Sequence, residues 1–196
     1  MGWRSAAARH WVAALDRAAC RRKRKRASLN SKLLPLLRLL VLAVGNRMPD
    51  WVSAGFEEYA RRMPRKSPLQ LIEIRPERRP AGNLSPGQID GMLKSESERV
   101  RAALPAGAVT VALDERGQSH DTQRFTRLLE GWLHDGRDVA FLIGGADGLE
   151  AGLKRSAHLM LSLSAMTLPH QLVRVLLAEQ HYRAMSLLSN HPYHRN

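Results

Sequence analysis

The chain has 196 residues, of which 44% are hydrophobic, and it carries a formal net charge of +13. That hydrophobic content excludes a wholly disordered chain, and the single cysteine, Cys20, excludes an intrachain disulfide and a cysteine-based metal site. No apolar run reaches the roughly 18 residues that a membrane helix needs, so we expect no membrane partner, and the lone cysteine favours a reducing, cytoplasmic location.

The positive charge is concentrated in the first 35 residues. This segment holds ten Lys or Arg and one acid, Asp16, whereas the remaining 161 residues hold 21 bases and 17 acids. A nucleic-acid arm, a basic targeting signal and an Arg-rich transit peptide are all compatible with it, as is an extension without a function. We expect residues 1–35 to be a flexible or helical basic extension that is not essential.

The body of the chain alternates between apolar runs and segments with helical spacing. The predicted strands are 36–44, 69–74, 109–113, 139–143 and 159–163. The first predicted helix begins at an N-cap at Asp50 and ends at Pro64, and the other helices are 88–104, 123–133 and 171–188. Residues 75–87 and 114–120 are predicted to form loops. This alternation implies one α/β domain over 36–196, with a mostly parallel sheet of five to six strands and helices on both faces.

Two segments near the end of this sheet are candidates for ligand contacts. Gly144 and Gly145 follow a buried strand directly, where they either contact a nucleotide or form an ordinary turn. Residues 164–169 lie between the fifth strand and the last helix, which is where open α/β sheets bind ligands, although a plain helix start is the alternative. The glycine turn matches neither a dinucleotide-binding fingerprint nor a P-loop.

The C-terminal sequence NHPYHRN supplies donors, a stacking ring and a cation. His191, Tyr193, His194 and Arg195 therefore suit single-stranded RNA, and a solvated tail is the alternative. The histidines lack the spacing of a zinc site, so we expect no metal.

Four motifs together resemble one family. They are LVLAVGNRMPDW at 40–51, FLIGGADGL at 141–149, SLSAMTLPHQLVRVLLAEQHYRA at 162–184 and NHPYHRN at 190–196. In this order they resemble the ribosomal large-subunit methyltransferase H family, within the SPOUT class of RNA methyltransferases. The resemblance covers 36–196 and leaves the basic extension outside.

The resemblance implies a fold, a cofactor and a substrate. We expect a C-terminal trefoil knot, a homodimer that binds S-adenosyl-L-methionine in the knot, and methylation of N3 of a pseudouridine in 23S ribosomal RNA of the assembled 70S ribosome. The tail of one protomer is expected to complete the site of the other. By motif match the cofactor contacts are Leu113, Gly144, Gly145, Ser164, Ala165, Met166, Thr167, Leu168 and Pro169.

Methylation of an imide nitrogen requires that this nitrogen lose its proton, so a base or a cation near it assists. The candidate groups lie on the last helix and the tail. We predict catalytic roles for Arg174, Tyr193 and His194 and substrate contacts for His170, His191 and Arg195. The sequence leaves open which of them accepts the proton.

Two other functions are compatible with the residues. One is a non-catalytic RNA-binding or ribosome-assembly protein of the same fold, and the other is a different nucleotide-binding α/β enzyme, such as a dinucleotide oxidoreductase. The modest charge of 36–196 fits docking on a preformed ribosomal surface better than binding of free RNA by charge.

Overall fold

The computed structural model describes residues 37–46 and 48–194, with the backbone alone at His194. The predictions for the basic extension, for Arg195 and for the His194 side chain lie outside this range.

Five parallel strands form one sheet in the described part of the chain. They are β1 (Leu39–Val44), β2 (Leu69–Ile74), β3 (Val109–Ser119), β4 (Val139–Ile143) and β5 (Leu159–Ser162). Their order across the sheet is β2-β1-β4-β3-β5, and every neighbouring pair is parallel. The predicted parallel sheet is confirmed, and β2 and β4 have the predicted bounds.

Five α-helices and one 3-10 turn accompany the sheet. They are α1 (Asp50–Ala60), α2 (Pro86–Ala103), α3 (Thr122–Asp135), α4 (Ala151–Ser156), α5 (His170–Leu188) and the turn Pro192–His194. Buried apolar side chains of α1, α3 and α5 belong to one core cluster, and those of α2 and α4 belong to another. The helices therefore cover both faces, as predicted, which explains why every residue of β1 and β4 is buried.

Two helix starts differ from the sequence prediction. Asp50 is not the N-cap of α1: Pro49 precedes the helix without a side-chain cap, and Asp50 lies in the first turn, where its charge complements the helix dipole. Helix α2 begins at Pro86, two residues early, because Ser85 and Gln88 form a reciprocal capping box around it.

Strand β3 is longer than predicted, since the predicted loop at 114–119 continues as strand. The pairing of β3 with β5 shifts at this point, so that both Leu113 and Gln118 pair with Leu161. A Cβ at Gly117 would lie 2.5 Å from the carbonyl carbon of Leu161, so only glycine lets the two backbones come this close. The end of the polar extension of β3 is thus paired with β5. The trefoil knot stays a prediction.

No helix among the residues that the structure describes is long and apolar enough to cross a membrane.

Candidate active site

A cavity of about 670 Å³ opens at the carboxyl edge of the sheet, above β3, β4 and β5. Its volume lies within the range of about 300–1,000 Å³ that is typical of ligand pockets. The lining consists of 113–116, 143–148, 154, 161–164, 166–170 and 173. These residues come from the end of β3, the turn after β4, α4, β5 and the loop before α5.

Most of the residues predicted to contact a cofactor meet in this cavity. The lining includes Leu113, Gly144, Gly145, Ser164, Met166, Thr167, Leu168 and Pro169. Ala165 is the one predicted contact outside the lining, whereas His170, predicted to contact substrate, is part of it.

The loop at 164–169 is held in shape by side-chain hydrogen bonds. The Ser162 hydroxyl donates to the carbonyl oxygen of Ser164 at 2.7 Å, and the Ser164 hydroxyl accepts from the backbone N–H of Met166 at 2.9 Å. Thr167 donates to a carboxylate oxygen of Glu115, on the β3 extension, at 2.7 Å. Met166 itself is 73% exposed, so the loop presents an apolar side chain beside the cavity.

Charged groups of both signs line the β3 side of the cavity. Lys154 pairs with Asp114 at 2.9 Å. Burial opposes the charge of Asp114, but hydrogen bonds from Lys154 and from the backbone N–H of Arg116 outweigh it, so the pKa of Asp114 is lowered. Glu115 forms no salt bridge among the described residues, and its carboxylate accepts a hydrogen bond from the Thr167 hydroxyl. The cavity therefore offers separate anionic and cationic points to a ligand that carries both charges.

Arg174 is fully buried beneath the loop that follows β1 and does not line the cavity. Its guanidinium donates to Glu73 and to the carbonyl oxygen of Gly45, both at 2.8 Å. Gly45 has φ +123°, and a Cβ there would lie 3.2 Å from the guanidinium nitrogen that makes this contact. Arg174, predicted to be catalytic, thus lies outside the cavity lining and is separated from solvent.

His170 lies between Arg174 and the cavity. It is partly buried, and a Cβ at Gly45 would lie 3.7 Å from its Nε2. Burial, and to a lesser degree the positive charge of Arg174, lower the pKa of His170. Its ring is therefore neutral at physiological pH and presents one nitrogen that accepts a hydrogen bond.

The described part of the tail folds back on α5 and does not line the cavity. The Tyr193 hydroxyl donates to Glu179 at 3.3 Å, and its ring lies 4.7 Å from that of Tyr182 and 5.1 Å from the Arg183 guanidinium carbon. Burial, together with hydrogen bonding, raises the pKa of Tyr193 to about 12. His191 is exposed, and the structure brings neither residue to His170 within one protomer.

Sequence reasoning missed Asp114, Glu115 and Lys154 as site residues. The signal for the first two was their position directly after the buried part of β3, at the edge where Leu113 was predicted to contact a ligand. Lys154 could be found only from the fold, because its partner lies 40 residues earlier in the chain.

The family model described as a predicted SPOUT methyltransferase matches residues 37–194. The chain belongs to the SPOUT methyltransferase family. This membership makes the chain a methyltransferase whose cofactor is S-adenosyl-L-methionine, as the sequence resemblance implied.

Relatives within this family are similar over most of the chain. A protein of Burkholderia multivorans is 53% identical over 159 residues, which cover 81% of this chain and 99% of that protein. A protein of Nitrosomonas eutropha has the same identity and the same coverage of both chains. Both are named ribosomal RNA large subunit methyltransferase H.

Solved structures are more distant. A probable methyltransferase from Bordetella pertussis Tohama I is 16% identical, with a TM-score of 0.47 over 77% of this chain and 96% of that one. AviRb from Streptomyces viridochromogenes, in complex with AdoMet, is 16% identical, with a TM-score of 0.40 over 75% of this chain and 57% of that one. Similarities of this size carry no argument about function.

The cavity suits the family's cofactor in size and in charge. S-adenosyl-L-methionine carries a sulfonium, an ammonium, a carboxylate and an adenine. The lining contains carboxylates that suit the positive groups, a lysine and an arginine that suit the carboxylate, and backbone N–H and C=O groups that suit the adenine. Among the residues that the structure describes, no group of three or more His, Cys, Asp or Glu side chains could hold a metal ion.

Proposed function

We propose that the chain methylates N3 of a pseudouridine in 23S ribosomal RNA of the assembled 70S ribosome, in the cytoplasm. The observation that carries this proposal is the cavity at 113–116, 143–148, 161–164 and 166–170, in a chain about half identical to relatives named for large-subunit ribosomal RNA methylation. The pseudouridine and its N3 atom come from the sequence resemblance.

In this proposal the backbone of the turn at 144–145 and of the loop at 164–169 would hold the cofactor. Ser162 and Ser164 fix the loop by hydrogen bonds, so its remaining N–H and C=O groups are held in place and can bind an adenine edge. The carboxylate of Glu115, held by Thr167, lies where it attracts a positively charged ligand.

The cofactor supplies an electrophilic methyl group on a sulfonium, so the chain contributes mainly by positioning the acceptor. In the loaded site the cofactor would supply the methyl group, and the acceptor nitrogen would give up its proton to a base or to water. His170 lines the cavity and is neutral, so its ring can accept a hydrogen bond from the imide N–H. Arg174 then acts indirectly, because its hydrogen bond to the Gly45 carbonyl oxygen holds the loop after β1 close to His170.

The tail enters this proposal through a second copy of the chain. Within one protomer, Tyr193 and His191 lie on α5 and away from the cavity lining. The roles proposed for Tyr193, His194, His191 and Arg195 therefore require the homodimer that the resemblance implies, with the tail of one protomer over the cavity of the other.

Exposed apolar side chains support the homodimer. Trp51 on α1 is 56% exposed, and Leu176 on α5 is 36% exposed. The two helices pack side by side, with Gly55 against Val175, so both residues lie on the same helix pair. A second copy seated on this pair would remove them from water.

Methyl transfer to ribosomes separates this enzyme from a non-catalytic RNA-binding protein of the same fold. The purified protein is mixed with S-adenosyl-L-methionine that carries a labelled methyl group, and with 70S ribosomes, isolated 50S subunits or free 23S RNA. The proposal expects label in the large-subunit RNA of 70S ribosomes, and cofactor binding without transfer to any of the three would contradict it.

A further inference from the structure

The loop between β2 and α2 begins at the same edge of the sheet as the cavity. We call residues 75–80, with the sequence RPERRP, the arginine loop. The carboxyl ends of the parallel strands β2, β1 and β4 lie side by side, so the loop after β2 comes near the glycine turn after β4. An ion pair between Arg79 and Asp147 joins them, and Asp147 lines the cavity.

The arginine loop is also fastened to α2. Arg99 donates to the carbonyl oxygen of Arg75 at 2.9 Å and forms an ion pair with Glu77. The backbone N–H of Glu77 donates to Glu96 at 2.9 Å. These contacts order the loop before anything binds, which lowers the entropy that binding would cost.

Two guanidinium groups of the loop remain available to a ligand. Arg75 and Arg78 are exposed, and neither forms a salt bridge with a carboxylate of the described residues. By contrast, Arg79 and Arg99 already have acidic partners. The loop therefore carries two exposed guanidinium groups without a salt bridge among the described residues, at the edge of the sheet where the cavity opens.

Arg78 lines an open hollow of about 310 Å³ between the arginine loop and α2. Gln88 and Ser95 provide hydrogen-bonding groups there, and Met92 and Pro80 provide apolar surface. The charge of Glu77, which also lines the hollow, is matched by Arg99, whose hydrogen bond lowers the pKa of Glu77. This set of side chains suits a nucleotide. The guanidinium can bind a phosphate, the polar side chains can bind a ribose hydroxyl, and the apolar surface can contact the face of a base.

We propose that the arginine loop and its hollow bind the ribose–phosphate backbone of the RNA strand that flanks the methylated base. This inference rests on the proposed ribosomal RNA methyltransferase function and adds the surface that positions the strand. Arg75 and Arg78 contact phosphates, and the Arg79–Asp147 ion pair keeps this contact in register with the cavity.

The test replaces both free guanidinium groups, in Arg75→Gln/Arg78→Gln, and compares methylation kinetics on 70S ribosomes. Arg65→Gln is the matched control, because Arg65 is exposed, forms no salt bridge with another described residue and lies before β2, at the opposite edge of the sheet. The double variant should raise the KM for ribosomes about tenfold at ~0.1 M salt and reduce the slope of log KM against log salt by about 1.4. The kcat and the KM for S-adenosyl-L-methionine should stay at wild-type values, as should all constants of the control.

Each other result has its own meaning. A double variant with wild-type KM for ribosomes, on ribosomes that the wild type methylates, overturns the arginine loop alone. A wild type that leaves ribosomes unmethylated overturns the proposed function and the inference together. A photo-crosslinking amino acid in place of Met92 should attach to large-subunit RNA, and attachment to a ribosomal protein would overturn the assignment of the hollow to RNA.

Discussion

The buried guanidinium of Arg174 donates a hydrogen bond of 2.8 Å to the carbonyl oxygen of Gly45 and so connects α5 to the loop after β1. The same group pairs with Glu73 on β2. Replacement by methionine leaves the Gly45 carbonyl without its partner, so we expect Arg174→Met to lower the free energy of unfolding by about 3 kcal/mol.

Urea unfolding followed by circular dichroism measures this change. Glu73→Gln is the comparison, because it keeps an acceptor oxygen for the Arg174 guanidinium on a side chain that is 42% exposed, so we expect it to lower the free energy of unfolding by less than Arg174→Met does. Equal stability of Arg174→Met and wild type would refute a structural role for this contact.

The hydrogen bond from Thr167 to Glu115 joins the loop at 164–169 to the extension of β3. Thr167→Val keeps the shape of the side chain and removes the donor, so we expect the Kd for S-adenosyl-L-methionine to rise about threefold to tenfold, as for the loss of one hydrogen bond. Glu115→Gln keeps an acceptor oxygen for Thr167 but removes the charge proposed to attract the ligand, so it should also raise the Kd. Calorimetric titration gives both values, and a wild-type Kd for Thr167→Val would show that the contact does not shape the site.

His181 is fully buried, with its ring 4.4 Å from that of Phe141 and 5.3 Å from that of Phe125. Burial lowers its pKa to about 4. The unfolded chain has the ordinary histidine pKa of about 6.5, so it binds this proton first as the pH falls. Burial of the neutral His181 ring therefore costs no stability above pH 6.5. Between pH 6.5 and 4 the unfolded chain takes up this proton and the folded chain does not, so the free energy of unfolding falls by about 3 kcal/mol in total.

Denaturant unfolding at several pH values between 4 and 8 checks this dependence. His181→Leu keeps an apolar side chain between the two phenylalanine rings and removes the titrating group, so its stability should fall less steeply with acid. Parallel pH profiles for the variant and the wild type would mean that another group controls the acid response.

Some of these relationships could be predicted from sequence and others could not. Strand β2 could be predicted within its observed bounds because LQLIEI alternates between apolar and polar residues, and β4 because VAFLI is an apolar run without breakers. The extension of β3 was missed because residues 114–119 are polar, and their strand conformation depends on pairing with β5, more than 40 residues later. Local pattern cannot reveal such a pairing.

The candidate site shows the same division. The glycine turn and the loop at 164–169 could be placed because they follow apolar runs at the ligand-binding edge of an α/β sheet. The burial of Arg174 could not be predicted, since helical spacing gives its face on α5 but not the neighbouring loop that covers it. Exposed charge was the ordinary expectation for arginine.

Leu176 tests the proposed homodimer. Leu176→Asp places a charge on the exposed apolar side of α5 without disturbing a core residue, so a dimer that uses this face should dissociate. Sedimentation velocity of the variant should show a monomer where the wild type sediments as a dimer. An exposed lysine on the other face of the sheet provides the control, Lys94→Asp, and a dimeric Leu176→Asp protein would remove this face from the interface.

The tail is tested by His194→Ala, which should lower the turnover on 70S ribosomes far more than the affinity for S-adenosyl-L-methionine. The proposed contact is with the RNA and the reacting base, so kcat should change while the Kd of the cofactor does not. Tyr182→Ala, which removes the aromatic contact of Tyr193 on α5, serves for comparison. Wild-type turnover of His194→Ala would exclude the tail from the reaction.

The most direct test of the account is mass mapping of the modified nucleosides in 23S RNA, with ribosomes from a strain that lacks this gene as substrate. After incubation with the purified protein and S-adenosyl-L-methionine, the account predicts one new methyl group, on N3 of a pseudouridine, in RNA from 70S ribosomes. A methyl group on another atom or nucleoside, or none at all, would contradict it.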